Sequence, residues 1–378
     1  PLTLALERDS FQNVPVHFRS LAVAELKRLE QLAQLNLKLL SETVAALTGI
    51  ESLPWAHATK TTHSLTPTVS PVAPTHNLSP GSGRSWPADF EALAEYIHTH
   101  GAGILGQHHA FIWQHKQFRG QAQSSHHGLY SVLNADMVAL EDLSGYEAQR
   151  SVVLENTRRF VEGKSANNML LYGDRGTGKS ATVKAVCRAF ADRGLKLIEV
   201  RKRDLLHFED IAETLSGRGL KFVLFIDDLS FEETDDTFTG LKALLEGSLE
   251  RRPGNVVIYA TSNRRHLVKE RFSDRPTAAQ AAEALTTGDV RAFDTMQEQL
   301  SLADRFGVTV VFTAPNQEEY LTIAEAIAER RGILGPETDR ERFRQNALRW
   351  ERWFNGRSPR TAQQYVDWLA GGELFPWE

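Results

Sequence analysis

Met169-Leu-Leu-Tyr-Gly173-Asp-Arg-Gly-Thr-Gly178-Lys179-Ser180 decides the reading of this chain. An apolar run of strand length meets a glycine-bounded loop, G-x-x-x-x-G-K-S, and an amphipathic stretch from Ala181 to Ala191 follows with helical spacing. The physical logic is local. Glycines let the loop curl so that backbone N–H groups face inward, and the N-terminal end of the next helix adds a field that favours anions. Gly173, Asp174, Arg175, Gly176, Thr177, Gly178, Lys179, Ser180 and Ala181 are therefore the candidate phosphate-binding set. Lys179 is placed to reach β- and γ-phosphates, and the Ser180 hydroxyl to hold Mg²⁺. ATP and Mg²⁺ are the expected cofactors.

Working outward, Leu195–Val200, Phe222–Ile226, Val256–Ala260 and Val308–Phe312 are further short apolar runs separated by amphipathic stretches. Strands alternating with helices predict a parallel sheet covered on both faces. Phe222-Val-Leu-Phe-Ile-Asp227-Asp228 ends such a strand in two carboxylates. Asp227 is the candidate for the Mg²⁺ shell, and Asp228 for orienting or deprotonating an attacking water. After Pro315 only helical patterns remain, near 317–332, 337–354 and 359–370. The expected fold is thus α/β, a parallel-sheet domain over 140–314 with a helical lid over 315–378.

The order of these motifs resembles AAA+ P-loop ATPases over residues 140–378, most closely an uncharacterised bacterial AAA+ family known as a domain of unknown function. The runs that carry the likeness are LLYGDRGTGKS, FIDDLSFEE, YATSNRRHL, FSDR and SLADRFG. The resemblance implies that Asn263, after the Asn255–Ala260 strand, is a first sensor of the γ-phosphate or lytic water. It implies that Arg305 is an arginine finger offered to a neighbouring copy, with Arg264, Arg265 and Arg275 as alternatives. Arg360, in the capped helix start Ser358-Pro359-Arg360, takes the second-sensor position, and Gly145 and Tyr146 sit in a segment that flanks adenine in such proteins. Asp228 departs from the family, where Glu is commoner; one methylene less means a deeper-set water or slower turnover. An aromatic–hydrophobic–Gly threading loop is missing after the second strand, where Arg201-Lys-Arg203 stands instead, so polypeptide threading is not expected. Those three cations could meet phosphate backbones, but nothing in the composition selects a nucleic acid.

The front of the chain has another character. Its first 140 residues hold 19 charged side chains against 72 in the remaining 238, and 11 of the 13 histidines. Residues 1–51 read as an amphipathic helical segment, 52–87 as a linker with six prolines, and 88–139 as a His-rich helical segment. His108 and His115 would share a helical face, but carboxylates and thiolates for a metal site are scarce nearby. The Leu-Asn-Leu-Lys-Leu-Leu and Ala-Leu-Ala-Glu-Tyr-Ile-His stretches resemble phasins, the amphipathic proteins of polyester granules. A net charge of −5 argues against a nucleic-acid coat protein, and a single cysteine excludes a disulfide framework. With no apolar run of membrane length, a cytoplasmic setting is the expectation. The functional expectation is an ATPase that assembles with itself and remodels or loads a protein client. The alternative is a slow nucleotide-dependent scaffold or switch, targeted by its N-terminal helices to a partner or granule surface.

Overall fold

Phe222–Ile226 is built only from aromatic and branched aliphatic residues, all five buried, the pattern of a strand covered on both faces. In the computed structural model, which describes residues 15–33, 90–114, 128–132, 138–229, 253–263, 305–335, 339–354 and 356–372, it lies mid-sheet. The described residues divide into two units. One comprises those up to Gln107 with Arg218–Leu220, and the other runs from His108 to Gly217 and from Lys221 onward.

In the first unit, α1 (Val16–Ala33) is followed by α2 (Phe90–His100) and the short α3 (Ile104–Gln107). Gly101 ends α2 at φ +88°, and an added Cβ there would lie 2.8 Å from Leu220, so chain reversal and close packing both require glycine. The helix expected from residue 20 is present as α1, starting four residues earlier. The expected linker over 52–87 and the remainder of the 1–51 segment lie outside the described residues.

The second unit is a seven-stranded sheet, in order β2-β1-β4-β5-β6-β3-β7. Its strands are β1 (Ala110–Trp113), β2 (Leu129–Ser131), β3 (Met169–Gly173), β4 (Leu195–Val200), β5 (Lys221–Ile226), β6 (Val256–Ser262) and β7 (Val308–Phe312). Every neighbouring pair is parallel except β1–β2. The helices α4 (Glu147–Val161) and α5 (Lys179–Ala189) bury Val153, Phe160, Val183 and Val186 with Met169, Leu171, Val223, Phe225 and Tyr259. A polar network ties α4 to the sheet: the Tyr259 hydroxyl meets Thr157 Oγ1 at 2.7 Å and accepts from Asn156 Nδ2 at 3.0 Å. Burial raises the Tyr259 pKa, so it is a neutral donor and acceptor. Cys187 is buried in the same core, which pushes its thiol pKa up and leaves it a packing residue.

Beyond β4 and the 3₁₀ turn Lys202–His207 comes α6 (Phe208–Leu215). After β7 the chain is helical: α7 (Gln317–Arg330), α8 (Arg340–Trp353) and α9 (Pro359–Gly371) enclose their own core of Tyr320, Ile327, Phe343, Trp350 and Tyr365. Asn316 and Glu319 form a reciprocal capping box on α7, and Ser358 caps α9, accepting from Thr361 N at 3.1 Å with Pro359 in the first turn. No described helix is long and apolar enough to cross a membrane.

One expectation is corrected. Residues 88–118 do not continue as helix, because Ala-Phe-Ile-Trp at 110–113 pairs with β4 and β2 as a strand with three of four residues buried. Aromatic and branched side chains suit a pleated, two-sided burial, and sheet pairing overrides the helical spacing. His108 sits in the loop before β1, so it shares no helical face with His115, which is outside the described residues. Strand β1 belongs to the unit that begins at His108. Among the described residues no group of three or more His, Cys, Asp or Glu is placed to hold a metal ion.

Candidate functional site

Strands β5, β6 and β3 are neighbours, so parallel pairing brings their C-terminal ends, Asp227, Asn263 and Gly173, to one edge of the sheet. Ligand crevices in open α/β sheets form at such ends. A cavity of about 710 Å³ opens there.

The Gly173–Ser180 loop builds one wall. Gly173 has φ +140°, and a Cβ on it would stand 2.0 Å from the Phe312 carbonyl oxygen, so only glycine lets β3 and β7 approach this closely. Asp174 turns outward, its Oδ2 accepting from Ala314 N at 2.7 Å. Gly173 and Asp174 thus form the base of the loop and do not line the cavity, whereas Arg175 through Ala181 do. Gly178, in the left-handed region at φ +90°, caps α5 and presents Lys179 and Ser180 on its first turn. Lys179 is 5 % exposed, and its Nζ donates to Gly173 O at 3.1 Å and Asp174 O at 2.7 Å. Burial lowers its pKa to about 8, against the nearby charges of Asp174, Asp228 and Asp227 and in the same direction as Arg360.

Asp227 Oδ1 collects three donors: Ser180 Oγ at 2.6 Å, Thr261 Oγ1 at 2.6 Å and Asp228 N at 3.1 Å. Asp228 follows in the left-handed region at φ +51°, and its Oδ1 accepts from Asn263 Nδ2 at 2.7 Å. Both carboxylates and Asn263 line the cavity.

The second wall comes from Val138, the segment 142–146, and α7 and α9. Gly145 and Tyr146 adopt φ +78° and +60°, reversing the chain into α4. The Tyr146 hydroxyl donates to Thr313 O at 2.6 Å and its ring lies 5.2 Å from that of Phe312. Burial first, then Glu319 and Asp174, push its pKa up to about 12. Arg330 donates to Asp142 O and, at 2.8 Å, to Ser144 Oγ. Arg360 lines the cavity beside the loop, and its backbone N donates to Gly176 O at 3.2 Å.

Of the residues singled out by sequence, Gly145, Tyr146, Arg175, Gly176, Thr177, Gly178, Lys179, Ser180, Ala181, Asp227, Asp228, Asn263 and Arg360 line one cavity. Arg305 does not; it is half-buried just ahead of β7. Arg264, Arg265 and Arg275 lie outside the described residues. The sequence reading missed Thr261, Arg150, Ile327 and Gln363 among the lining residues. For Thr261 a signal existed: Tyr259 and Thr261 are polar-tipped at i and i+2 of one strand, hence on one face, and Asn263 just past its end continues the spacing.

A mostly parallel sheet with a glycine loop after β3 and paired carboxylates after β5, two strands apart, closed by a C-terminal helical lid, is an AAA+-like α/β architecture. Residues 106–373 match the model of the family described as "Protein of unknown function (DUF815)", and the chain belongs to that family. Among solved structures it is similar to RuvB of Thermotoga maritima, a Holliday junction branch migration motor, at 16 % identity and TM-score 0.36, covering 62 % of this chain and 64 % of that one. A point variant of that RuvB gives 17 % identity and TM-score 0.37 with the same coverage. Aeropyrum pernix ORC1, solved in complex with DNA, gives 19 % identity and TM-score 0.41, covering 60 % of this chain and 59 % of that one. The chain thus spans less than two thirds of each of these. No curated protein matches it.

Proposed function

We propose that this chain binds ATP with Mg²⁺ and hydrolyses it, and that turnover drives self-assembly and work on a protein client. The observation that carries the reading is the convergence of Lys179, Ser180, Asp227, Asp228, Asn263 and Arg360 on one cavity. In it the loop's backbone N–H groups and the Lys179 ammonium cradle the phosphates, and Arg360 adds a second cation from the lid side. Ser180 Oγ and Asp227 Oδ1, 2.6 Å apart, are hard oxygen donors on the cavity wall, a set that suits Mg²⁺. When bound, the ion supplies charge neutralisation across the phosphate oxygens. Asp228 orients the attacking water and takes its proton, and Asn263 holds the Asp228 carboxylate from the side. Arg305 stands outside the cavity of its own chain, which supports its use on a neighbouring copy. An arginine so supplied is worth roughly 10³–10⁵ in turnover.

A second reading, a slow nucleotide-dependent switch, draws on the 2.7 Å contact from Asn263 to Asp228, which occupies the candidate base. Phosphate release by the wild-type chain and Asp228→Asn tests both. The first predicts Mg²⁺-dependent hydrolysis that rises per subunit with protein concentration. Asp228→Asn should bind ATP and turn over at least about 10²-fold more slowly. A burst followed by a slow steady state at every concentration favours the switch, and unchanged turnover in Asp228→Asn sinks the assignment of the base.

A further inference from the structure

Asp227 and Asp228 are consecutive, yet both line the same cavity. An extended strand cannot do this, because neighbouring side chains point to opposite faces. Strand β5 ends at Ile226, and the chain breaks into a turn at Asp227 and Asp228, the latter with a φ of +51° where a residue with a Cβ is disfavoured. Something must hold that break.

We propose that Thr261 is the positioning residue that does so, an inference that rests on the ATPase reading of this cavity. Ile226 is paired with Ala260 in the parallel register of β5 and β6, so the next residues on each strand, Asp227 and Thr261, lie side by side. Thr261 is 1 % exposed. Its hydroxyl donates to Asp227 Oδ1 at 2.6 Å and accepts from Asp228 N at 3.0 Å. One hydroxyl therefore fixes the carboxylate of the first acid and the backbone of the second, using its single proton and a lone pair. Asp227 Oδ1 also accepts from Asp228 N, at 3.1 Å, so the three groups close a ring. Asn263, two residues further along the same face, completes the arrangement at the Asp228 side chain.

Thr261→Val removes the hydroxyl at nearly constant shape, and Thr261→Ser keeps it without the methyl. Two readouts are taken on the full chain, ATP turnover and binding, and amide hydrogen exchange of the segment carrying Asp228. Thr261→Val should lower kcat about 10- to 100-fold with ATP affinity nearly unchanged, the usual loss when a group orienting a functional side chain is removed. It should also speed exchange at the Asp228 amide, while Thr261→Ser retains both turnover and protection. Unchanged exchange in a folded Thr261→Val, or equal losses in both variants, would overturn the proposal, since the second result assigns the effect to packing. If Thr261→Val does not fold, Thr261→Ser decides alone: lost protection overturns the proposal and retained protection supports it. A wild-type chain that hydrolyses no ATP overturns the ATPase reading, while the exchange comparison still decides whether Thr261 holds the turn.

Discussion

The two walls of the cavity are built on different principles. On the loop-and-strand side, Lys179 and Thr261 are buried, and Asp227 gathers three donors within 3.1 Å. Asp227 and Thr261 sit at the ends of adjacent parallel strands, and Lys179 and Ser180 on the first turn of the helix that follows β3, so the arrangement is fixed once the sheet and that helix form. On the lid side, the wall over Leu143–Tyr146 is held by exposed bonds that reach far along the chain, from Arg330 to Asp142 O and Ser144 Oγ and from Tyr146 to Thr313 O. Two of the bonds to Asp227 are exposed as well, so the contrast lies in redundancy: several bonds converge on one carboxylate on the first wall, whereas a few long-range ties hold the second. On the ATPase reading proposed above, chemistry would fall to the stiff, sheet-fixed wall and closure to the more adjustable one.

Removing Lys179 strikes the stiff wall hardest. Lys179→Ala deletes the buried cation and its bonds to the carbonyls of Gly173 and Asp174, leaving Asp174 O with only the Thr177 hydroxyl of these two side-chain donors. ATP binding should weaken by about 10²-fold or more, as for loss of a charged hydrogen bond in a dry site. Titration with a fluorescent ATP analogue measures it, and affinity kept within a few-fold would break the assignment of chemistry to this wall. A smaller effect is expected at the lid. Arg330→Ala should weaken affinity by about tenfold, the value of one charge-assisted contact near the surface, and leave kcat at saturation unchanged. Lost kcat with retained affinity would mean that the lid shapes the chemistry as well.

Legibility in the sequence follows the same division. The glycine loop, the double carboxylate and the five parallel strands β3 to β7 depend on neighbours within a few residues, and their patterns are readable. Gly173 and Asp174 belong to the same motif, but their roles depend on the end of β7, 140 residues away in the case of Asp174 and Ala314, and no motif states that Gly173 packs on Phe312. Thr261 shows its polar spacing in the sequence, but its use depends on the β5–β6 register, which only pairing defines. The strand β1 was read as helix because four residues between glycines and histidines carry too little periodicity to outvote their flanks. The lid helices were found from their spacing and caps, whereas the side chain that ties them to Asp142 and Ser144 left no sequence signal.

The smallest effect concerns pH and again separates the walls. Burial holds the Lys179 amine at about 8, down from its ordinary 10.5, and Arg360 beside the loop pushes in the same direction. Phosphates bind the ammonium form, so affinity should fall as pH rises through 8, by about fourfold between pH 7 and 8.5 for a single proton. Stability must move the other way. Between pH 8 and 10.5 the unfolded chain still holds the proton that the folded one has released, so unfolding takes up a proton and the folded state gains as pH rises. Weaker ATP binding together with an undiminished melting temperature over that interval would therefore place the titration at Lys179 and not in general loosening. Arg360→Ala sharpens the point, because removing the like charge raises the amine's pKa and shifts the midpoint of the affinity loss to higher pH. A midpoint that stays fixed would show that the lid's cation does not reach the loop electrostatically, and that the two walls act independently.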